Sequence, residues 1–185
     1  MSLGDQFDPV LAAARSGAEW ALSALYQDLH PRLLRYLGSQ EPREAEDLAS
    51  EVWLDVAAGL SRFNGGEDAF RAWLFTIARR RLIDLRRSAA RRRTQPVTTE
   101  MLAGLPDPGD PETEVIGLAA TEAALAQIAA LSPDQAEVVL LRVVAGLDVD
   151  EVAAVTGKRP GTIRVLQHRA LKRLAEQISR EAVTP

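Results

Sequence analysis

Apolar residues recur at intervals of three and four along most of the chain, the spacing that places them on one face of an α-helix. Between positions 10 and 37 the pattern runs through Trp20, Leu22, Leu25, Tyr26, Leu29, Leu33, Leu34 and Leu37, with Gly17 and Pro31 as candidate breaks. Gly38 to Pro42 reads as a turn, and Pro42 suits the first turn of a second helix that continues through Leu48, Val52, Leu54, Val56 and Leu60. Its acidic start, Glu44, Glu46 and Asp47, complements the positive end of the helix dipole. A third helix is expected from Glu67 to Arg93, where Phe70, Trp73, Leu74, Ile77, Ala78 and Leu85 repeat on one side, Trp73 among them as a core residue.

Beyond Arg93 the periodicity stops. Thr94 to Pro111 contains Pro96, Pro106, Pro108 and Pro111 and no basic residue, so it reads as a tether that buries too little apolar surface to offset ordering. Helical spacing resumes over 112–130 and ends at Leu131-Ser132-Pro133. There Ser132 is a natural N-cap, Pro133 fits the first helical position and Gln135 stands three after the cap, so a new helix is expected from Pro133 to Ala145, stopped by Gly146. Asp148 can cap a short helix to Val155, Gly157 makes a turn, and Pro160 opens a longer helix with Ile163, Leu166, Ala170, Leu171 and Leu174 facing inward. Helix, tight turn and helix is the helix-turn-helix arrangement. The expected fold is all-α: two small helical domains, 1–93 and 112–185, joined over 94–111 by a flexible, acidic, proline-rich linker, with the helix-turn-helix in the second.

The charge distribution adds what periodicity does not show. The net charge is −4, yet residues 67–93 carry nine arginines against Glu67, Asp68 and Asp84, a local excess of +6. Residues 94–141 hold eight acids and no base, and residues 142–185 hold eight bases against five acids. Basic zones in a mildly acidic chain are the footprint of a phosphate-bearing partner, with a merely solvated face as the plain alternative. On the helix from Pro160 and the turn before it, Lys158, Arg159, Arg164, Arg169, Lys172 and Arg173 meet no acid between Val152 and Ala175, which favours a DNA-reading helix. The loop at Asn64-Gly65-Gly66, preceded by Arg62 and pinned between Phe63 and Phe70, is suited to hold a displaced base beside Arg79, Arg80, Arg86 and Arg87. Asp47 and Glu51, with Glu44 a turn back, form an acidic stripe that fits either solvent or a basic partner.

Catalysis finds little support. The chain has no cysteine, and its two histidines, His30 and His168, stand far apart without the carboxylates of a metal site or a general base. No catalytic residue, metal ligand, cofactor or small-molecule substrate is expected. Neither a membrane-length apolar run nor a signal peptide is evident, so a soluble, cytoplasmic protein is expected.

These stretches together resemble the extracytoplasmic-function class of bacterial RNA polymerase sigma factors. AEDLASEVWL is similar to that family's core-polymerase-binding motif, A-E-D-L-x-Q-E-x-F-L, with Ser50 at the glutamine. FRAWLFTIARRRLIDLRR is similar to its promoter-melting helix, with Arg80 where asparagine is common. LSPDQAEVVLLRVVAGLDVDEVAAVTGKRPGTIRVLQHRAL resembles its C-terminal helix-turn-helix, with Val165-Leu166 where Ser-Arg is frequent. The resemblance implies that Glu44, Asp47, Ser50 and Glu51 face the clamp of the polymerase core enzyme. It also implies that Arg62, Asn64, Arg79, Arg80, Arg86 and Arg87 serve the minus-10 element. Lys158, Arg159, Thr162, Arg164, Gln167, His168, Arg169, Lys172 and Arg173 would serve the minus-35 element. The partners so implied are core polymerase, promoter DNA and an anti-sigma factor. A free-standing helix-turn-helix regulator is the alternative, and it would have no use for the acidic stripe. A helical adaptor would leave both arginine-rich zones without a role.

Overall fold

The computed structural model describes residues 3–94, 127–128 and 130–181. The tether expected over 94–111 and nearly all of the helix expected over 112–130 lie outside the described residues. Seven α-helices occur among those described: α1 (Phe7–Arg15), α2 (Glu19–Gly38), α3 (Ala45–Gly59), α4 (Glu67–Thr94), α5 (Pro133–Val143), α6 (Val149–Thr156) and α7 (Pro160–Glu181). The expected all-helical class is what the chain adopts.

In the first unit α1 packs on α2, α2 on α3 and α4, and α3 on α4. The shared core contains Leu25, Leu29, Leu33, Tyr36, Val52, Phe70, Leu74 and Phe75, each with essentially no exposure. Edge-on aromatic pairs fill its middle, Tyr36 against Phe75 at 5.3 Å and Phe63 against Phe70 at 5.3 Å. Gly17, at φ +86°, separates α1 from α2, but Pro31 does not interrupt α2. An interior proline costs about 3 kcal/mol or more. Leu25, Leu29, Leu33, Tyr36 and Leu37 offset that cost, since each large apolar side chain contributes roughly 1.5 to 3 kcal/mol on burial.

Pro42 sits in a turn before α3 rather than in its first turn. The Glu44 N–H bonds back to the Glu41 carbonyl, and the helix begins one residue past Glu44, which takes the N-cap position. Four residues expected on apolar faces turn outward: Trp20 is 62% exposed, Tyr26 42%, Leu54 71% and Leu171 48%. Trp73 is half-buried at the edge of the core rather than inside it.

The second unit follows the expected capping chemistry closely. Ser132 with Gln135 closes a capping box on α5, and Asp148 with Glu151 closes another on α6. Gly157 then takes φ +71°, a left-handed conformation that glycine reaches without cost, and turns the chain into α7. Val152, Ile163 and Ala170 are fully buried where α5, α6 and α7 pack. The α6 helix also packs on α4, so the two units meet through one continuous cluster of buried side chains.

Candidate DNA- and polymerase-binding surfaces

The α3 helix buries Ala45, Leu48, Ala49, Val52 and Val56 and turns Asp47, Ser50, Glu51 and Leu54 to solvent. These four follow the i, i+3, i+4, i+7 row of one helix face. Leu54 continues the apolar row Leu48, Val52 and Val56 in the sequence, but its spacing from Asp47 and Ser50 puts it on the acidic side, where it is exposed. Glu44 is exposed at the head of the same helix. Glu51 is held from behind: Arg81 Nη1 donates to Glu51 Oε2 at 3.0 Å, while its Nε and Nη2 donate to Asp55 at 2.8 and 2.7 Å. Hydrogen bonds from Arg81 hold the Asp55 carboxyl below its ordinary range. Beside this face Tyr26 stacks on His30 at 4.2 Å and leans on Trp53 at 5.1 Å. Burial holds the His30 imidazole below its usual value, with Glu46 opposing.

Between α3 and α4, Arg62 and Asn64 are exposed, and Phe63 stacks on Trp73 with ring centres 4.9 Å apart. Gly59 permits this placement of Trp73, because a Cβ at Gly59 would lie 2.7 Å from the indole Cζ2. The four arginines expected beside this loop do not form a single strip. Successive helical residues point about 100° apart, so Arg79 and Arg80 diverge. Arg79 donates to Glu137 of α5 at 2.8 Å, and Arg86 donates to Glu41 at 2.7 Å. Arg80 turns the other way, to Asp55 at 3.2 Å, and Arg87 stands 4.0 Å from Asp84. Arg80 and Arg87 keep 64% and 73% of their side-chain surface exposed, and pairs this open contribute at most about 1 kcal/mol, so a phosphate can replace the carboxylate. Arg79 is more enclosed, 25% exposed against a Glu137 that is 14% exposed.

On α7, Arg159, Thr162, Arg164, His168, Arg169, Lys172 and Arg173 are all exposed on or just before the helix. Lys158 pairs with Asp134 at 3.2 Å and is half-buried. Gln167 is half-buried too: its Oε1 accepts from Arg142 Nε at 3.3 Å, and Arg142 also donates to the Leu147 carbonyl. That network anchors α7 to α5 and commits the Gln167 oxygen inside the domain. The Thr162 N–H bonds the Arg159 carbonyl at 2.9 Å, so it is not one of the free donors at the helix start. Farther along, Arg169, Lys172, Arg173, Glu176 and Gln177 line an open groove of about 530 Å³. The exposed cations suit a polyanion, whose backbone phosphates they would contact without reading sequence. Among the described residues no cluster of side chains is suited to a metal ion, and no helix is long and apolar enough to cross a membrane.

Comparison with known proteins separates the two readings that a helix-turn-helix alone leaves open. Residues 23–92 match the Sigma-70 region 2 family and residues 121–174 match Sigma-70, region 4. The ECF RNA polymerase sigma factor SigD of Mycobacterium tuberculosis is 34% identical over 95% of this chain and 85% of its own length. The chain belongs to the extracytoplasmic-function sigma factors. Another member, ShbA of Streptomyces griseus, is 37% identical over 87% of this chain and 89% of its own. A solved structure of the sigma factor RpoE with the anti-sigma factor NepR, from Bartonella quintana, superimposes with a TM-score of 0.61. It is 27% identical and covers 88% of this chain and 99% of that one. In this sigma factor α3 and α4 fall within the region 2 match apart from the last residues of α4, and α5 and α6 fall within the region 4 match with most of α7. A free-standing regulator does not account for the region 2 half.

Proposed function

We propose that this sigma factor binds the clamp of core RNA polymerase through the outward face of α3 and delivers it to promoters read by α4 and α7. The observation that carries the reading is the joint presence, in one chain, of the Asp47, Ser50, Glu51 and Leu54 face and of the exposed cationic helix α7. Leu54, bare to solvent on the rim of an acidic stripe, suits a basic surface with an apolar centre. Residues 1–93 serve the core enzyme and the minus-10 element, and 112–185 serve the minus-35 element. Asn64 and the Phe63–Trp73 stack stand where a displaced base would be received. Arg62, Arg79, Arg80, Arg86 and Arg87 take phosphates on either side. In the second unit Arg164 and His168 reach base edges, while Lys158, Arg159, Arg169, Lys172 and Arg173 position the domain on the backbone. No catalytic residue, cofactor or metal enters this reading, which places the protein in the cytoplasm beside the polymerase. An anti-sigma factor is proposed as a further partner, in line with the solved relative bound to one.

The clamp assignment is tested by Asp47→Arg combined with Leu54→Glu, both exposed, which leaves the Glu51–Arg81 bond in place. The pair should keep wild-type helicity and weaken capture of purified core enzyme at least tenfold. Capture at wild-type affinity would remove this face from the interface.

A further inference from the structure

The orientation of α7 is fixed by what it buries, and it puts an apolar side chain where base readout is expected. Ile163 and Ala170 have no exposure, so their direction defines the side of the helix that faces the domain. At about 100° per residue, Arg164 lies roughly 100° from Ile163, on the flank, and Val165 lies roughly 200° away, almost opposite the core. Val165 is 49% exposed. Gly161, Val165, His168 and Lys172 follow the i, i+4, i+7, i+11 row of the outward stripe, and all four are exposed. A Cβ at Gly161 would meet nothing within 4 Å, so the start of this stripe is open space. Polar and cationic neighbours, Thr162, Arg164, His168 and Arg169, surround Val165, so the stripe carries one apolar point among polar ones.

A valine can neither donate nor accept a hydrogen bond. Pressed against a guanine, adenine or cytosine edge it would strip water from polar groups and return nothing. The major groove offers one apolar group, the C5-methyl of thymine. We infer that Val165 is a specificity-determining residue that selects thymine in the minus-35 element by packing on its C5-methyl group. This inference rests on the reading of α7 as the minus-35 helix, and it moves the centre of base contact from Arg164 to Val165. Arg164, on the flank, is left to the base or phosphate at the groove edge.

The test uses the full chain assembled with core polymerase on a promoter selected by that holoenzyme from a pool randomised over the minus-35 region. Each thymine of that element is replaced in turn by deoxyuridine, which deletes only the methyl and keeps base pairing. At fixed salt, one replacement should weaken holoenzyme binding about fourfold, the transfer worth of a single buried methyl. With Val165→Ser that same replacement should be silent, while replacements elsewhere keep their wild-type effect. Far-UV circular dichroism of Val165→Ser should match wild type, because the side chain is outside the core. If no thymine is sensitive, or if the sensitive thymine remains equally so in Val165→Ser, the assignment is overturned. Initiation by the same holoenzyme at discrete sites would then leave the sigma-factor reading standing. Absence of initiation by the wild-type holoenzyme would overturn both.

Discussion

Removal of Arg81 should loosen the joint between α3 and α4, and the size of the effect follows from its geometry. The guanidinium donates two bonds to Asp55 and one to Glu51, at 2.7 to 3.0 Å. Side-chain exposure is 32% for Arg81 and 25% for Asp55, between a solvated pair and an enclosed one. Exposed pairs contribute about 0.2 to 1 kcal/mol. Breaking a fully buried pair costs about 3 to 5 kcal/mol. Asp55 would retain Arg80, 3.2 Å away, and so would not be left without a partner. Arg81→Ala should therefore destabilise the first unit by about 2 kcal/mol. Arg81→Lys restores charge but not the planar fork, and should recover about half of that. Trp20, Trp53 and Trp73 all belong to the first unit, so urea unfolding followed by tryptophan fluorescence reads it separately.

The pH dependence has a definite sign. Hydrogen bonds from Arg81 lower the folded-state value of Asp55, so its contribution is complete above the unfolded value near pH 4 and is lost as pH falls through the folded one. The gap between wild type and Arg81→Ala should hold from about pH 7 to pH 5 and narrow below about pH 4. A loss under about 0.5 kcal/mol, a lysine variant equal to wild type, or a gap that survives acid would each refute the fork as the source of stability.

Two further outcomes follow from buried or paired groups. Ile163→Ala should cost the second unit about 2 to 5 kcal/mol, as a fully buried isoleucine in the helix-turn-helix, and lower its melting midpoint by circular dichroism. Glu137→Gln should free Arg79 from its partner across the two units and raise the affinity of the free chain for promoter DNA about two- to fivefold at low salt, with unchanged affinity counting against Arg79 as a phosphate contact.

Local chemistry was the legible part of this sequence. The two capping boxes, the left-handed turn at Gly157 and the apolar rows of α2, α5 and α7 each depend on residues within about one or two turns of each other, so spacing alone carries them. The pairing of Arg79 with Glu137 joins residues 58 apart, and that of Arg81 with Asp55 joins residues 26 apart. Nothing in either segment names the other. Arg79, Arg80, Arg86 and Arg87 therefore looked like one cationic strip, whereas Arg79 and Arg86 face one set of carboxylates and Arg80 another. Exposure of Leu54 was readable from its register with Asp47 and Ser50. That of Trp20 was not, because it depends on which elements cover the start of α2. Gln167 shows the same limit: its place on α7 suggested a base contact, and only the fold brings Arg142 to its oxygen.

The central claim, that this chain directs polymerase to promoters, is tested most directly by initiation in a purified system. Core RNA polymerase, genomic DNA from the source organism and the wild-type chain should yield transcripts with discrete 5′ ends, preceded by a shared element near minus 35, and core enzyme alone should yield none of them. Identical 5′ ends with and without the chain would contradict the account.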